Sequence, residues 1–383
     1  MTTEDGRSFP IFGQVATGFD AVAEAFAENF RLGEEVGAAC SIYHRGEKIV
    51  DLWGGYEDAA ETRVWRKDAI VCMHSVAKAF SATALHMLVE RGKVKYDATV
   101  ATYWPEFAVA GKESIPVRYI MDHRAGLPVI DASVDEVTIY DFDKFTECLA
   151  SMTPLWEPGS KAGYHVLTMG YLIGAVVKRV TGKSIGAFIQ DEICGPLQLD
   201  YWIGLPDEQF DKCVEYVPTV KGTLFDREMI DPATLSARAW AQMPQDEDFN
   251  SRAYKKAEIP GANGHGSARA VAKFYAALIG QIDGLSLLSS SSLTKATEKQ
   301  WSMLECVLNR EYNMSLGYLL NSSPYVPMGP NPNAFGHHGV GGSIGFGDSK
   351  TSIGFCYAPN KMHARLDNGP RAGRLKDALF KCL

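Results

Sequence analysis

The sequence predicts an α+β fold of the broader α/β class, with one mainly antiparallel sheet flanked by helices and an inserted helical domain. Strand patterns lie in about the first 70 and the last 50 residues, whereas the middle of the chain is mostly helical. We therefore expect an α/β domain made of residues 1–70 and 300–383, and a mainly helical domain made of residues 71–299. A cleft between two such units is a natural place for an active site.

The N-terminal part is predicted to form a helix followed by a hairpin. Apolar residues recur there with the spacing of one helix face, and Gly33 follows as a stop. These residues are Phe19, Val22, Phe26 and Phe30. Ala38 to Tyr43 and Lys48 to Trp53 have the composition of strands, and Arg45-Gly46 between them suits a turn.

Further elements follow in the middle and at the end of the chain. Three helical patterns cover Ser75 to Gly92, Val166 to Val180 and Ala268 to Ile279. Two predicted strands, Gly342 to Gly347 and Thr351 to Tyr357, flank a turn at Asp348-Ser349-Lys350. A final helix is predicted to begin at Pro370, because proline suits the first position of a helix.

The composition of the 383 residues argues against several kinds of partner. Apolar residues make up 46% of the chain, which is ample for a large core, and the formal net charge is −8. This charge gives no attraction for nucleic acid or for an anionic membrane surface. No apolar run approaches the ~18 residues that span a bilayer. The N-terminus lacks the basic and apolar segments of a secretory signal.

The eight cysteines are scattered along the chain and form no CxxC pairs. In a chain of this size, that distribution is typical of buried thiols in a reducing compartment. We therefore expect a cytoplasmic protein. The sequence also lacks a Walker A or GxGxxG pattern, and we expect no cofactor.

Ser75-Val76-Ala77-Lys78, at the start of a predicted helix, is the leading candidate for a nucleophilic site. Residues three apart on a helix share one face, so the lysine amine can lie beside the serine hydroxyl. A serine needs a base to accept its proton, and a lysine can be that base only when burial lowers its pKa. The neighbouring residues are apolar, which favours such burial. The N–H groups at the start of the helix can stabilise developing negative charge.

Two other serines match catalytic patterns. The SxxK pattern recurs at Ser292 to Lys295, which follows a run of serines and is predicted to be an exposed helix start with a solvated lysine. Gly341 to Gly345 matches GxSxG around Ser343, but that motif needs a helix after it and an acid and a histidine downstream, whereas a strand is predicted here. The SxxK pattern alone leaves a purely structural role open for Ser75.

Tyr164 is the candidate for a second proton-transfer residue. It lies in the turn-rich loop Pro158 to His165, just before a predicted helix, where a phenol can project into a cleft. A tyrosine between a lysine and a serine can relay a proton to the leaving group. Tyr171 is the competing choice, although it falls inside the apolar pattern of the helix. Packing alone is the ordinary role of either tyrosine.

A histidine pair lies near the C-terminus, in His337-His338-Gly339, and is followed by Val340 and further glycines. Glycines in an edge strand let a ligand approach the backbone closely. No HExxH motif or carboxylate cluster accompanies the two histidines. We therefore expect no metal site.

These motifs occur in the order and approximate spacing of one known family. Four further stretches match the same group, namely Asp51 to Gly55, Met121 to Pro128, Tyr164 to Gly170 and Asn263 to Gly266. Over nearly its whole length, the chain resembles the class C β-lactamase-like serine hydrolases and, within them, the family VIII carboxylesterases. The resemblance implies a β-lactamase/transpeptidase-like fold.

The resemblance also implies a role for each site residue. Ser75 would be the acyl-enzyme nucleophile, Lys78 its base and Tyr164 the second proton-transfer residue. The oxyanion hole would use the backbone N–H groups of Ser75 and Val340. The implied substrate-binding residues are His337, His338 and Gly339.

Two departures from the family pattern shift the expected substrate. Enzymes devoted to β-lactams usually carry Tyr-x-Asn and Lys-Thr-Gly, where this chain has Tyr164-His165-Val166 and His337-His338-Gly339. The missing amide and lysine would hold the side-chain amide and the carboxylate of a lactam, and a neutral imidazole gives no fixed charge. We therefore expect a carboxylesterase that cleaves small, uncharged acyl esters, with either Lys78 or Tyr164 accepting the serine proton.

Three other functions remain open for the same site. An acyltransferase or transesterase would change the acceptor, a β-lactamase or peptidase would change the substrate, and a non-catalytic scaffold would keep only the fold. Acyl length and the natural alcohol depend on cleft loops such as Ala132 to Asp143 and Pro206 to Asn250. The sequence leaves the oligomeric state open.

Overall fold

A computed structural model of the protein describes residues 9–130, 139–218, 231–244, 249–363 and 367–383. The N-terminal stretch on which the expected absence of a secretory signal rests falls largely on residues 1–8, outside the described residues. Parts of the two expected cleft loops, residues 132–138, 219–230 and 245–248, also lie outside them.

The elements follow one another along the chain with these bounds. The strands are β1 (Ile11–Val15), β2 (Gly37–His44), β3 (Glu47–Gly55), β4 (Val71–Cys72), β5 (Tyr201–Ile203), β6 (Gly264–Gly266), β7 (Trp301–Leu304), β8 (Glu311–Met314), β9 (Leu319–Leu320), β10 (Phe335–His338), β11 (Ile344–Asp348) and β12 (Ile353–Pro359). The α-helices are α1 (Asp20–Arg31), α2 (Ala77–Glu90), α3 (Val117–Met121), α4 (Phe142–Ser151), α5 (Thr168–Thr181), α6 (Ile185–Ile189), α7 (Gly195–Leu197), α8 (Leu235–Trp240), α9 (Arg252–Lys256), α10 (Ala268–Ile279), α11 (Ser290–Ala296) and α12 (Gly369–Cys382). Short 3-10 helices span His74–Val76, Val100–Thr102, Pro105–Phe107 and Asp207–Lys212, and a π-helical turn spans Gln190–Cys194.

Within the described residues, nine strands form one antiparallel sheet in the order β1-β3-β2-β12-β11-β10-β9-β8-β7. The two ends of the chain meet where β2 pairs with β12, for example at Cys40 and Tyr357. The hairpin between β2 and β3 turns at Arg45 and Gly46, which both have positive φ values. The prediction of one mainly antiparallel sheet built from both ends of the chain is therefore confirmed.

Helices cover both faces of this sheet. Helix α1 packs beside α12, and the predicted apolar residues Val22, Phe26 and Phe30 are buried in its inner face. Helix α10 lies on the opposite face, where a Cβ at Gly354 would come within 2.4 Å of the carbonyl oxygen of Ala272. Glycine in the strand therefore permits the close packing of helix on sheet.

The prediction places α10 in the mainly helical domain, residues 71–299, and its bounds are the predicted ones. Its packing partners, however, are strands β2, β11 and β12 of the large sheet. The domain boundaries stay a prediction, and this helix shows that the chain crosses back to the sheet before residue 300.

Helix α2 is the centre of the helical part. Its residues are buried from Ala77 to Leu88, so it is surrounded by protein on every side. It packs against α5, which ends at Gly182 with φ 74, as the sequence predicts. None of the helices in the described part of the chain is both long and apolar enough to cross a bilayer.

The sequence patterns missed several short strands. Strand β1, strands β7 to β9 and the small sheet β4-β6-β5 have two to five residues each, too few for a clear alternation of apolar and polar side chains. The predicted helix from Ser75 also differs, because a 3-10 turn, His74–Val76, precedes the α-helix that begins at Ala77.

Candidate active site

The candidate nucleophile lies in the short 3-10 helix before α2. Ser75 is partly exposed, while its neighbours His74 and Val76 are buried. His74 has a φ of 47, an uncommon conformation for a non-glycine residue that is often found at functional sites. The N–H groups at the start of a helix have no partner within it, so the N–H of Ser75 is available to a ligand.

Lys78 follows one turn later and is fully buried. Its Nζ lies 3.2 Å from Oγ of Ser75 and 2.6 Å from each of the carbonyl oxygens of Val166 and Gly261. Burial lowers the pKa of Lys78 well below its ordinary value. Among the described residues, no carboxylate forms an ion pair that would oppose this shift.

The three oxygen contacts of this amine suit a neutral base as well as an ammonium. A carbonyl oxygen can only accept a hydrogen bond, so Val166 and Gly261 use the two N–H bonds that a neutral amine possesses. The remaining tetrahedral direction on Nζ is directed toward Oγ of Ser75. In the neutral form, that direction holds the lone pair, which can accept the serine proton.

Tyr164 lies at the other side of the serine, four residues before α5. Its ring is 4.9 Å from Nζ of Lys78, and its hydroxyl is 3.4 Å from Nε2 of His337. Burial raises the pKa of Tyr164, a hydrogen bond with Ser75 opposes the rise, and the nearby charge of Glu305 adds to it. The phenol therefore keeps its proton at neutral pH.

His337 fixes the direction in which that phenol donates. Its Nδ1 lies 2.7 Å from the carbonyl oxygen of His338, which can only accept, so Nδ1 carries the ring proton. Burial keeps the pKa of His337 well below its ordinary value. Nε2 of the neutral ring is then an acceptor, and Tyr164 donates its hydroxyl proton to it.

A small pocket opens in front of the serine. It encloses about 300 Å³ of empty space, including the part open to solvent. Within the described ranges, its wall is formed by Ser75, Tyr164, Trp240, Leu308, Tyr312, His338 and Val340. His338 thus lies in the wall, and burial lowers its pKa to about 4, so it is neutral at physiological pH.

Val340 belongs to a tight turn between β10 and β11. Inside the turn, the N–H of Gly339 donates to the carbonyl oxygen of Ser343 at 2.8 Å, and the N–H of Gly342 donates to that of Gly339 at 3.3 Å. These bonds leave the Val340 N–H unused by the turn itself. Val340 and Ser75 line the same pocket, as a two-donor oxyanion hole requires.

The structure therefore brings most of the sequence-predicted site residues together. Ser75, Lys78 and Tyr164 are in mutual contact, and His337 contacts Tyr164. Gly339 instead packs behind the turn, where an added Cβ would lie 2.2 Å from the carbonyl oxygen of Met73.

The alternative candidates lie elsewhere. Lys295 is exposed on α11, as predicted for the second SxxK copy. Ser343 is buried and is followed directly by strand β11. Tyr171 is buried inside α5 and donates its hydroxyl to the carbonyl oxygen of Ile139. No group of three or more His, Cys, Asp or Glu residues suited to a metal ion occurs in the described ranges.

Sequence reasoning missed four residues that shape the site. Glu305 accepts the N–H of Tyr164 at 2.6 Å, and Trp240, Leu308 and Tyr312 form much of the pocket wall. Glu305, Leu308 and Tyr312 lie close together in and beside the segment between β7 and β8, Trp240 lies far from them in the chain, and none of the four stands in a motif. Only the resemblance could have indicated them, through residue-by-residue matching.

The described fold, with a serine and a buried lysine one turn apart, is that of the serine hydrolases of the β-lactamase/transpeptidase class. The family model of the beta-lactamases matches residues 22–379. The chain therefore belongs to the beta-lactamase family.

Similar proteins narrow the class further. The chain is 32% identical over 387 residues to the esterase/beta-lactamase LipL of Mycobacterium tuberculosis, covering 95% of this chain and 86% of LipL. The crystal structure of a family VIII carboxylesterase superimposes with a TM-score of 0.90 at 38% identity, covering 98% of this chain and 100% of that one. A penicillin-binding protein homologue from Caulobacter crescentus gives a TM-score of 0.89 at 35% identity, with coverage of 98% and 100%.

These similarities confirm the predicted resemblance to the class C β-lactamase-like serine hydrolases and the family VIII carboxylesterases. The chain is a serine hydrolase that acts on esters.

Proposed function

We propose that the protein is a carboxylesterase that cleaves small acyl esters through an acyl-enzyme on Ser75. The observation that carries this proposal is the buried amine of Lys78, which lies 3.2 Å from Oγ of Ser75 with both carbonyl acceptors already in place. A serine beside a neutral amine is an activated nucleophile.

The first half of the reaction forms the acyl-enzyme. Oγ of Ser75 attacks the ester carbonyl carbon, and its proton moves to Nζ of Lys78. The carbonyl oxygen becomes an oxyanion, which accepts hydrogen bonds from the backbone N–H groups of Ser75 and Val340. The C–O bond to the alcohol then breaks, and the departing alkoxide receives a proton. We assign the relay of that proton from Lys78 to Tyr164, because its ring is 4.9 Å from Nζ of Lys78 and it lines the same pocket as Ser75.

The second half releases the acid. A water molecule takes the place of the alcohol and attacks the acyl carbon, and the one proton that it loses passes through the phenol of Tyr164 to Nζ of Lys78, which later returns it to Oγ of Ser75. The second tetrahedral intermediate then collapses, the bond to Oγ breaks, and Ser75 recovers its proton.

Of the two candidate bases, both of which contact Ser75, the directions of the pKa shifts favour Lys78 over Tyr164. Burial lowers the pKa of Lys78 and raises the pKa of Tyr164, because in each case it disfavours the charged form. At neutral pH the amine is therefore ready to accept a proton, while the phenol holds its own. Tyr164 is therefore a proton relay and not the general base.

The pocket favours small, uncharged substrates. Its polar wall residue His338 is neutral, since burial lowers the pKa to about 4. Trp240, Leu308 and Tyr312 close the pocket with apolar surface. Without a cation in the described wall, a substrate carboxylate finds no charge partner there. A short acyl ester fits these conditions better than a β-lactam does.

An acyltransferase is the alternative that the same site supports, since an alcohol can occupy the place of the second-step water. Product analysis with a short ester, with and without a competing alcohol, separates the two. Hydrolysis that stays the main reaction in an excess of alcohol supports the esterase. Ester product formed faster than free acid favours the transferase. Turnover of a chromogenic cephalosporin at the rate of ester cleavage favours a lactamase.

We also propose a cytoplasmic site of action. All eight cysteines are free thiols, and burial is the main cause that raises the pKa of Cys40, Cys72, Cys194 and Cys356. Free, unreactive thiols suit a reducing compartment. Cell fractionation followed by detection of the protein with an antibody checks this assignment.

The proposed function is tested directly by labelling with a fluorophosphonate and measuring the intact mass. The wild-type protein and the Ser292→Ala and Ser343→Ala variants are expected to take up one label each, mapped to Ser75. The Ser75→Ala variant is expected to fold, to remain unlabelled and to lose ester hydrolysis. Labelling that persists in Ser75→Ala and disappears in Ser343→Ala would show that the nucleophile is misassigned.

A further inference from the structure

We propose that Ser343 is a positioning residue that holds the two halves of the oxyanion hole in register. The inference rests on the proposed function of Ser75 and concerns a residue whose GxSxG setting imitates a nucleophile. One donor of the oxyanion hole, Ser75, lies in the 3-10 turn before α2, and the other, Val340, lies in the turn between β10 and β11. The two segments are far apart in sequence, so a physical link must set their distance.

The carbonyl oxygen of Met73 provides this link. It accepts the N–H of Val76 at 3.2 Å, which closes the turn that contains Ser75. The same oxygen accepts the hydroxyl of Ser343 at 3.1 Å. One backbone oxygen is thus the shared acceptor of the nucleophile turn and of the glycine-rich turn. The hydroxyl of Ser343 is buried, so water does not compete for this bond.

The main chain of Ser343 completes the connection. Its carbonyl oxygen accepts the N–H of Gly339 at 2.8 Å, across the turn whose next residue is Val340. An added Cβ at Gly339 would lie 2.2 Å from the oxygen of Met73 and 2.4 Å from Oγ of Ser343. The two turns are therefore packed backbone to backbone, and the hydroxyl fills the contact between them.

The far side of the same turn is held independently. Nη2 of Arg371, in α12, donates to the carbonyl oxygens of Gly341 and Lys361 at 2.9 Å each. Nη1 of this buried arginine pairs with Glu35 at 2.8 Å. Because Arg371 fixes the turn to the sheet and helix α12, loss of the Ser343 hydroxyl leaves the fold in place. What changes is the fit of the turn against the nucleophile segment.

Hydrogen bonds to an oxyanion depend steeply on distance and angle. Ser343→Ala is therefore expected to lower kcat about tenfold, with KM changed less than about twofold. This loss is smaller than the ~10²–10³-fold cost of deleting a whole oxyanion donor. Fluorophosphonate labelling of Ser75 is expected to persist at a reduced rate.

The test compares an ester with its thionoester, in which sulfur replaces the carbonyl oxygen. Sulfur anions accept weaker hydrogen bonds than oxygen anions. The kcat/KM of the ester divided by that of the thionoester therefore reports how well the oxyanion hole is formed. We expect this ratio to fall severalfold in Ser343→Ala and to take an intermediate value in Ser343→Cys, whose thiol is a weaker donor. The Cys variant also provides the test if the Ala variant does not fold.

Ser41→Ala is the matched control. Ser41 is also buried in the large sheet and donates its hydroxyl to a backbone carbonyl oxygen, that of Val50 at 3.3 Å. It is expected to lose stability without a change in the thionoester ratio. An unchanged ratio in both Ser343 variants, or an equal fall in Ser41→Ala, would overturn the proposal. These results leave the nucleophile assignment untouched, since that depends on the labelling of Ser75→Ala.

Discussion

At the scale of single residues, the position of one proton decides what the site can do. The amine of Lys78 and the phenol of Tyr164 are both buried, and burial disfavours the charged form of each. The amine is therefore a base and the phenol an acid in the resting enzyme. Ser75, which contacts both, can give its proton to one and receive help from the other.

The first prediction concerns the base. Lys78→Ala is expected to lower kcat for a short ester by roughly 10²–10⁴, the usual worth of a positioned acid or base. Lys295→Ala, in the exposed SxxK copy, is the matched control and is expected to keep full activity. Steady-state kinetics with both variants checks the prediction. A Lys78→Ala enzyme with near wild-type kcat would contradict it.

The second prediction concerns the proton relay. Tyr164→Phe is expected to lower kcat by roughly 10²–10⁴ while KM changes little, because the phenol acts on the transition state. Tyr171→Phe is the control, since its hydroxyl donates to the carbonyl oxygen of Ile139, and only stability should suffer. If Tyr164→Phe retains its rate, the phenol has no part in the mechanism.

At the scale of elements, the site depends on a loop that one buried carboxylate organises. Glu305 accepts the N–H groups of Tyr164, Val307 and Leu308 at 2.6, 3.0 and 2.7 Å. The segment between β7 and β8 is thereby tied to the loop that carries the tyrosine. Leu308 in this segment also lines the pocket, so one side chain supports both the chemistry and the pocket wall.

The third prediction follows from this arrangement. Glu305→Gln keeps the size of the side chain but turns an amide N–H₂ toward backbone donors. We expect it to lower the free energy of unfolding by about 1–3 kcal/mol and to reduce kcat. Glu311→Gln, at an exposed position of β8, is expected to change neither quantity. Urea unfolding measures the free energy of unfolding of both variants, and steady-state kinetics measures kcat. Equal values of both quantities in the two variants would contradict the role of Glu305.

The sequence predicts elements well where a periodic pattern is long. The bounds of α10 agree with its apolar spacing, and α5 ends at the predicted Gly182. Prediction from the sequence fails where an element is short, or where it forms only through contacts between segments that are distant in the chain, as in the small sheet β4-β6-β5. The site shows the same difference between local patterns and long-range contacts. Ser75 and Lys78 are three residues apart and visible to a local pattern, whereas the carbonyl acceptors Val166 and Gly261 are set by the tertiary fold.

At the scale of the whole molecule, most of the histidines are buried in a neutral form. Burial lowers the pKa to about 4 for His74, His86, His165 and His338, to about 3 for His265, and well below the ordinary value for His123 and His337. In the unfolded chain, a histidine titrates near pH 6.5. Below that pH, the unfolded state therefore binds several protons that the folded state excludes until about pH 4.

The fourth prediction is a steep loss of stability in acid. Since the unfolded state binds more protons between about pH 6.5 and pH 4, the free energy of unfolding is expected to fall as the pH falls through this window. The slope of the free energy of unfolding against pH should be several times the slope that one buried neutral histidine would produce. Urea unfolding at a series of pH values measures it. A variant that lacks one of these rings away from the site, such as His86→Gln, should show a shallower slope, and a flat wild-type profile would contradict the burial of neutral rings.

The central claim is that Lys78 is uncharged beside Ser75 in the resting enzyme. The most direct measurement is the rate constant for acylation of Ser75 by a short ester as a function of pH. A lysine of lowered pKa predicts a rate that is level from about pH 7 to pH 9 and declines only toward acid. A rate that climbs about tenfold per pH unit across that range would mean that the amine titrates as an ordinary lysine, near ~10.4, and would contradict the claim.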